Sequence, residues 1–463
     1  MTLRITLTNV FLATSVAALA QWSELGLGMN DGVRRLLYDS ASQRVHAFGH
    51  FSTAGGLLVN GTAYWEDEAW HPMGQGVHYP QAFPVIGANF WGDSILIAGL
   101  FPYAIGVPDS RRLALWNGSN WLPIGTGGTN GYVPAFAQLE DGVLFAGNMD
   151  TLAGAPIANN VARYANGTWS SGCTYPTVGD MWFTTLAYYQ GRYILAGNLN
   201  SPIVYELGWL DGDTLRQVGQ GIRGDAWVND LQEFQGKLYI AGDYNVAAGN
   251  AATSLSTWDG QQFADPFPGL NFITQAIDLD MRNGELYFSG RTWLPGSPDY
   301  YTLGRYDGER LCLFGKNLNT VFLSIAATED YLYVAPNMIT LGLGGDTVNY
   351  IARWDLSYPG DTCIQIATSV HEPPVFGSEW SIGPSPFNGE INLSSASGIP
   401  AGSMIVVLDA TGRLIHRGVL APAGPNEQRN RRIDNGVQGL VVVQVCDAMG
   451  HTLARRRLVR LPP

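Results

Sequence analysis

The sequence predicts an all-β chain, and three observations carry that expectation. A short phrase, an apolar or small residue followed by glycine, recurs as Phe48-Gly49, Ala98-Gly99, Ala146-Gly147, Ala196-Gly197, Ala241-Gly242, Ser289-Gly290 and the degenerate Ala335-Pro336. Its copies are spaced by 50, 48, 50, 45, 48 and 46 residues. Short runs of Val, Ile, Leu, Tyr, Phe and Trp alternate with glycine-bearing turn pairs, and no stretch carries the 3.6-residue period of an amphipathic helix. A constant period in the 20–50 range marks copies of one supersecondary unit.

Each copy reads as four strands, here A to D. Two-residue turns precede the phrase at Asp141-Gly142, Gln190-Gly191, Gln235-Gly236 and Asn283-Gly284. Glycine there tolerates the positive φ of a tight hairpin, so A and B flank the turn and B ends in the phrase. An aromatic or apolar residue follows 13 to 18 residues later, at Trp65, Trp116, Tyr164, Leu210, Trp258, Tyr306 and Trp354, and closes strand C. A shorter run then forms strand D, as in Trp70 to Gly74 and Trp121 to Gly125. Four antiparallel strands in about 48 residues make one propeller blade. Seven copies predict a seven-bladed β-propeller over 21–368. Trp22 to Gly26 reads as a strand D without its A, B and C, and is expected to close the ring in the last blade. Cys363 to Ile366 also reads as a strand D, so one of the two must be displaced or add as a fifth strand.

The pattern resembles kelch-type propellers, in which strand B ends in a glycine pair and Trp opens strand D. This chain has one glycine where kelch has two. The resemblance implies that the repeated aromatics pack between blades.

The two ends differ from the repeat. Arg4, an apolar run from Ile5 to Ala17, and Ala18-Leu19-Ala20 read as a signal peptide over 1–20, cleaved between Ala20 and Gln21. The run is too short and too polar for a membrane span, and no transmembrane segment is expected. Ser369 onward reads as a linker over 369–378, and 379–463 as a small Ig-like β-sandwich. Charge changes there: 16 basic and 33 acidic residues lie in 21–373, against 9 basic and 6 acidic in 374–463.

This last segment carries Gly383-Pro384-Ser385-Pro386-Phe387-Asn388-Gly389, then Ile405 to Leu408 followed by Asp409, Gly412 and Arg413, then Gly439-Leu440-Val441-Val442-Val443, Gly450 and Arg455-Arg456-Arg457. The order resembles the type A C-terminal sorting domain of proteins exported by the type IX secretion system of Bacteroidota. Ser385 stands for the family's Asn, Val441 for its Tyr, and Arg for Lys throughout. The resemblance implies export through the periplasm, recognition by the type IX machinery, and a secreted or cell-surface location. Asp-Ser/Thr-apolar triplets such as Asp39-Ser40-Ala41 resemble O-glycosylation sites of the same bacteria.

Composition narrows the chemistry. A net charge of −13 argues against nucleic acid as a partner. His46, His50, His71 and His78 crowd the first repeat; His46 and His50 share a strand face, but His71 falls on strand D and His78 on a loop, and no metal is assigned. Asp278-Leu279-Asp280 before Asn283-Gly284 misses the spacing of a calcium loop. Cys312 and Cys363 fall at equivalent places in adjacent repeats, too far apart to bridge, and Cys173 and Cys446 stand alone, so no disulfide framework is expected. No nucleophile, zinc or phosphate motif is present, and no cofactor is implied.

The B–C and D–A connections are the longer ones and share one face, where ligands are expected to dock. Aromatic candidates there are Phe101, Tyr103, Tyr132, Trp182, Trp227, Trp293 and Tyr301. The expected function is a non-catalytic module binding a glycan or a protein through that face. The alternatives are a glycoside hydrolase or polysaccharide lyase on the same scaffold, which needs carboxylates converging at the channel, or a structural adhesin.

Overall fold

The repeated phrase ends the second strand of successive antiparallel sheets. The computed structural model describes residues 22–77, 85–174, 181–199, 204–222, 226–244, 254–267, 271–294, 296–337, 340–343, 346–366, 380–383, 390–409, 414–433, 439–446 and 452–460. The chain forms two compact units, Met1–Ile366 and Ala367–Pro463. The described residues are all-β apart from one short 3-10 turn at Ala158–Asn160. Among them no helix is long and apolar enough to cross a membrane. The proposed signal peptide, its Ala20–Gln21 cleavage point, the linker and the motif residues Pro384, Pro386, Gly412 and Arg413 lie outside the described residues.

In the first unit the strands pair in chain order. Sheet one holds Val33–Asp39, Arg44–Gly49, Thr62–Glu66 and Ala69–Pro72. Sheet two holds Gly87–Trp91, Ser94–Ala98, Leu113–Trp116 and Trp121–Leu122. Sheet three holds Tyr132–Leu139, Gly142–Asn148, Val161–Ala165 and Thr168–Ser171. Sheet four holds Met181–Tyr189, Arg192–Leu199, Leu207–Asp211 and Thr214–Gln217. Sheet five holds Trp227–Phe234, Lys237–Asp243, Leu255–Trp258 and Phe263–Ala264. Sheet six holds Asn271–Arg282, Glu285–Trp293, Tyr300–Tyr306 and Arg310–Lys316, with Thr362–Gln365 added. Sheet seven holds Phe322–Ala327, Tyr331–Pro336, Ala352–Asp355 and the N-terminal Trp22–Glu24. The first strand of each sheet contacts the first strand of the next, and that of sheet seven contacts that of sheet one.

The phrase glycine has a steric cause. A Cβ at Gly147, Gly197 or Gly242 would stand 2.1, 2.0 or 2.3 Å from the carbonyl oxygen of Tyr132, Trp182 or Trp227, at the opening of strand A. Any side chain there pushes strand A away from strand B. The turns also follow their chemistry: Gln190-Gly191, Gln235-Gly236 and Asn283-Gly284 all have positive φ at both positions. Sheet three departs from the expected turn. Leu139 pairs with Gly142, so the two loop residues are Glu140 and Asp141. Gly142 is a strand residue whose Cβ would stand 1.8 Å from the Tyr164 carbonyl oxygen.

The repeated aromatics close the outer side. Trp65 with Trp70, Trp116 with Trp121, Tyr164 with Trp169 and Trp258 with Phe263 pair in register across strands C and D. Their rings lie 5.1, 5.1, 4.5 and 4.7 Å apart, within the range of favourable aromatic pairs. Trp70 Nε1 donates to the Leu25 carbonyl oxygen (2.9 Å) and Trp121 Nε1 to that of Met73 (2.8 Å). Each indole is thereby fixed to the end of the preceding sheet's outer strand.

The N-terminal strand takes the fourth place in sheet seven, with Trp22 opposite Trp354. Thr362–Gln365 therefore cannot occupy that place and adds to sheet six as a fifth strand. This overturns the expectation for the cysteines. Cys363 lies directly opposite Cys312, with the Cα atoms 4.0 Å apart, and the two form a disulfide. They are neighbours in one sheet rather than equivalents in two. Cys173 is buried and is not part of this disulfide.

The second unit has a three-stranded sheet (Trp380–Gly383, Glu390–Ser395, Arg429–Arg432) and a four-stranded one (Met404–Asp409, Leu414–Val419, Gly439–Cys446, Thr452–Arg460). Ile391 and Leu393 from one, and Ile405, Val407, Val441, Val443 and Val445 from the other, share one core. The spacing of two along each strand turns one face of each sheet inward. Asp409 ends one of these strands and Gly439 opens another.

Two outcomes test this packing. Gly197→Ala is expected to destabilise the first unit by about 1–3 kcal/mol, the usual range for overpacking, seen as a lowered Tm; an unchanged Tm contradicts the steric assignment. Cys363→Ser opens a loop with a sequence separation of 51. Chain entropy then predicts a loss of roughly 4 kcal/mol. Thermal unfolding with and without reductant should show the loss in the wild type and no further effect of reductant in the variant.

Candidate functional site

The first strands of all seven sheets line a cavity of about 750 Å³. One structural position repeats sheet by sheet along these strands. Arg35, Gly87, Ala135, Thr185, Asp230 and Ser324 each pair directly with the apolar residue of the phrase: Phe48, Ala98, Ala146, Ala196, Ala241 and Ala335. Asp278 is the seventh; its amide donates to the Ser289 hydroxyl at 3.1 Å. In all but sheet two the strand slips register at this level, and such bulges re-aim side chains.

These residues form a network running from sheet four round to sheet one. Thr185 Oγ1 donates to Asp230 Oδ1 (3.2 Å), and the Leu279 amide donates to Asp230 Oδ2 (2.9 Å). The Ser324 hydroxyl and the Ile325 amide donate to Asp278 Oδ2, at 2.8 and 2.7 Å. The Leu36 amide donates to Ser324 Oγ at 3.1 Å, and Arg35 Nη1 reaches across to Asp278 Oδ1 at 2.7 Å. One level further along sheet six, Asp280 accepts from the Ala327 and Met281 amides at 2.6 and 2.9 Å. Sheets two and three contribute no side-chain polar group at this position, since Gly87 and Ala135 stand there. A Cβ on Gly87 would meet the Pro134 carbonyl oxygen at 2.6 Å, so that side of the wall is backbone against backbone.

Charge is divided unevenly. The Asp278 carboxylate holds the Arg35 guanidinium above its ordinary pKa. Burial, with the neighbouring Asp278 charge, pushes Asp230 up to about 7. Burial does the same to Asp280, also to about 7. All six oxygens of Asp230, Asp278 and Asp280 accept a bond, and most of these cross between sheets. A carboxylate committed this way acts as a tie between strands. It is poorly placed to take up or deliver a substrate proton. Among the described residues no group of His, Cys, Asp and Glu is arranged to hold a metal ion.

The seven aromatic candidates separate into two groups. Tyr132, Trp182 and Trp227 open strand A of three consecutive sheets, at the level where the phrase glycine crosses. Tyr132 and Trp227 line the cavity. Trp182 and Trp227 are 45% and 38% exposed, high for tryptophan. They form an arc at one mouth of the cavity, on the side of the D–A connections. The others lie elsewhere. Phe101 is 1% exposed and packs with Ile97, Ala104 and Trp116, because its B–C loop folds inward to fill the space under sheet two. Tyr301 is 6% exposed, because strand C of sheet six begins earlier than expected and carries it into the core. Neither can face a ligand. Trp293 ends strand B of sheet six and packs on Tyr300 (5.2 Å), and Tyr103 is half-buried in the loop after sheet two's second strand.

Arg34 completes the mouth from sheet one and also lines the cavity. Its Nε donates to His50 Nε2 at 3.4 Å. Burial, and then the Arg34 charge, hold His50 below its usual pKa, so it is neutral and can accept. Burial raises the Tyr132 hydroxyl, and the Arg34 charge offsets part of that, so the guanidinium acts on the ring across the opening.

Sequence reasoning missed Arg34, Arg35, Asp230 and Asp278. A signal existed. The wall residue stands 11 positions before the apolar residue of the phrase in sheets two to seven (Gly87 and Ala98, Asp278 and Ser289) and 13 in sheet one (Arg35 and Phe48).

No known protein family matches the chain, and no curated protein matches it. Among solved structures, the crystal structure of the computationally designed Ika8 protein aligns with 72% of this chain and 99% of its own, at 9% identity and a TM-score of 0.42.

The raised Asp230 fixes a sign. A folded pKa above the unfolded value gives stability that is full below about pH 4 and is lost as pH rises through about 7. Asp280 acts in the same sense, and His46, held down to about 4 by burial, acts oppositely below its ordinary value, so the wild-type profile alone mixes these groups. The difference between Asp230→Asn and wild type isolates the aspartate. Thermal unfolding should show that difference moving in the variant's favour from pH 5 to pH 8. A pH-independent difference contradicts the assignment.

Proposed function

We propose that the first unit is a seven-bladed β-propeller and that it binds a saccharide at the mouth of its axial cavity. The cyclic contact of the seven A strands and the closure of sheet seven by Trp22–Glu24 support the blade count. The observation that carries the binding reading is the arc of Tyr132, Trp182 and Trp227 on three successive blades. Exposed aromatic faces on rigid strands suit the apolar C–H faces of sugar rings, and their cost in conformational entropy is already met by the scaffold.

The second unit is proposed to be an Ig-like sandwich serving as the type IX sorting domain, so that the protein reaches the cell surface or the medium through the periplasm in a member of the Bacteroidota. The Cys312–Cys363 disulfide supports an oxidising destination. The hydrolase or lyase alternative has the carboxylates it needs in the cavity. Their full commitment to bonds within the scaffold favours the binding reading over it.

The test is a glycan array and calorimetry with the purified full chain. Binding to a saccharide class is expected, with affinity lost by about ten-fold or more in Trp182→Ala/Trp227→Ala while Tm is unchanged. Binding that survives in the double variant, or substrate cleavage by the wild type, contradicts the proposal.

A further inference from the structure

The mouth of the cavity is asymmetric in a way that the aromatic arc does not explain. The arc lies on sheets three, four and five. Sheet one, across the ring from sheets four and five, presents Arg34 at the same opening. Among the described residues Arg34 has no carboxylate partner; its one bond goes from Nε to the neutral His50 ring. That bond holds the guanidinium by its inner nitrogen and leaves both Nη groups for another acceptor. The contrast with Arg35, the next residue, is informative. Arg35 is spent on Asp278 inside the network.

The charge below the mouth agrees. Asp278 is neutralised by Arg35, and Asp230 takes up a proton near neutrality. Arg34 is therefore a cation at the mouth that no carboxylate meets by direct contact among the described residues, in a unit whose sequence is strongly acidic. A neutral sugar offers a half-buried guanidinium only hydroxyl and ring oxygens, which have no charge to match it. A carboxylate supplies that charge, and the planar fork of arginine matches its two oxygens.

Resting on the saccharide reading above, we infer that the ligand is an acidic saccharide. Its ring stacks on Trp227 and Tyr132, and its carboxylate is received by Arg34, which His50 orients. Arg34 and His50 divide the work: Arg34 touches the ligand, and His50 is a positioning residue. Specificity for the acid over its uncharged form comes from Arg34. Affinity for the ring comes from the aromatics.

The experiment uses the full chain and a panel of oligogalacturonate, alginate, hyaluronan and sialyl oligosaccharides. Each is paired with a counterpart whose carboxylates are converted to methyl amides, and Kd is measured by calorimetry. At least one acid is expected to bind at least about ten-fold tighter than its amide, the scale of one charge-assisted contact. Arg34→Gln should abolish that preference while keeping the residual affinity for the amide. Arg34→Lys should restore part of it, and His50→Ala should weaken the acid without affecting the amide. Unchanged Tm in each variant guards against misfolding. Equal binding of acid and amide, or a preference that survives Arg34→Gln, overturns the acidic-ligand inference and leaves the saccharide reading standing. No binding by any member of the panel, neutral or acidic, overturns both.

Discussion

The close approach of strands A and B in each sheet is the constraint on which the rest of this structure depends. Strand B must pass strand A so tightly that the phrase glycine faces a carbonyl oxygen at a distance no Cβ could occupy, as at Gly197 and Trp182. That glycine fixes where strand A opens, and so where Tyr132, Trp182 and Trp227 emerge. It also fixes the level of the next inward position, where Arg35, Thr185, Asp230, Asp278 and Ser324 meet. Burying charge there is costly unless each group is paired and hydrogen-bonded, and the network meets that requirement through backbone amides of neighbouring sheets. The outer aromatic pairs solve the opposite problem. Neighbouring sheets whose first strands touch leave space beside their outer strands, and Trp65–Trp70 and Trp116–Trp121 pack there.

The pairing of sheet seven shows how one local choice propagates. The N-terminal Trp22–Glu24 completes sheet seven, with Trp22 against Trp354 at 4.9 Å. The strand after sheet seven, which has the same apolar pattern, is then left without a place. It covers the open edge of sheet six, where the disulfide holds it. An exposed edge strand invites pairing with other chains, so the fifth strand also protects that edge.

The architecture of the repeat was legible in the sequence because its determinants are local. Glycine at a close approach, a turn pair with positive φ and an aromatic at a strand end each leave a residue at a fixed offset. What was not legible depends on partners far apart in the chain. Asp278 reads as one member of an alternating strand; only its meeting with Arg35, 243 residues earlier, makes it a site residue. The disulfide was missed because periodicity assigned Cys363 to the wrong sheet. Phe101 and Tyr301 look like Trp182 and Trp227 in a list of loop aromatics. The difference lies in whether the loop folds inward, which neighbouring sheets decide.

The central claim is that ligand binds at the mouth formed by sheets one and three to five. The most direct test is the set of tryptophan indole N–H resonances during titration with an acidic oligosaccharide. The account predicts that the signals of Trp182 and Trp227 move, while those of the buried Trp70 and Trp121, bonded to Leu25 and Met73, stay in place. Saturable binding that leaves Trp182 and Trp227 unmoved, or that moves Trp293 instead, would contradict it.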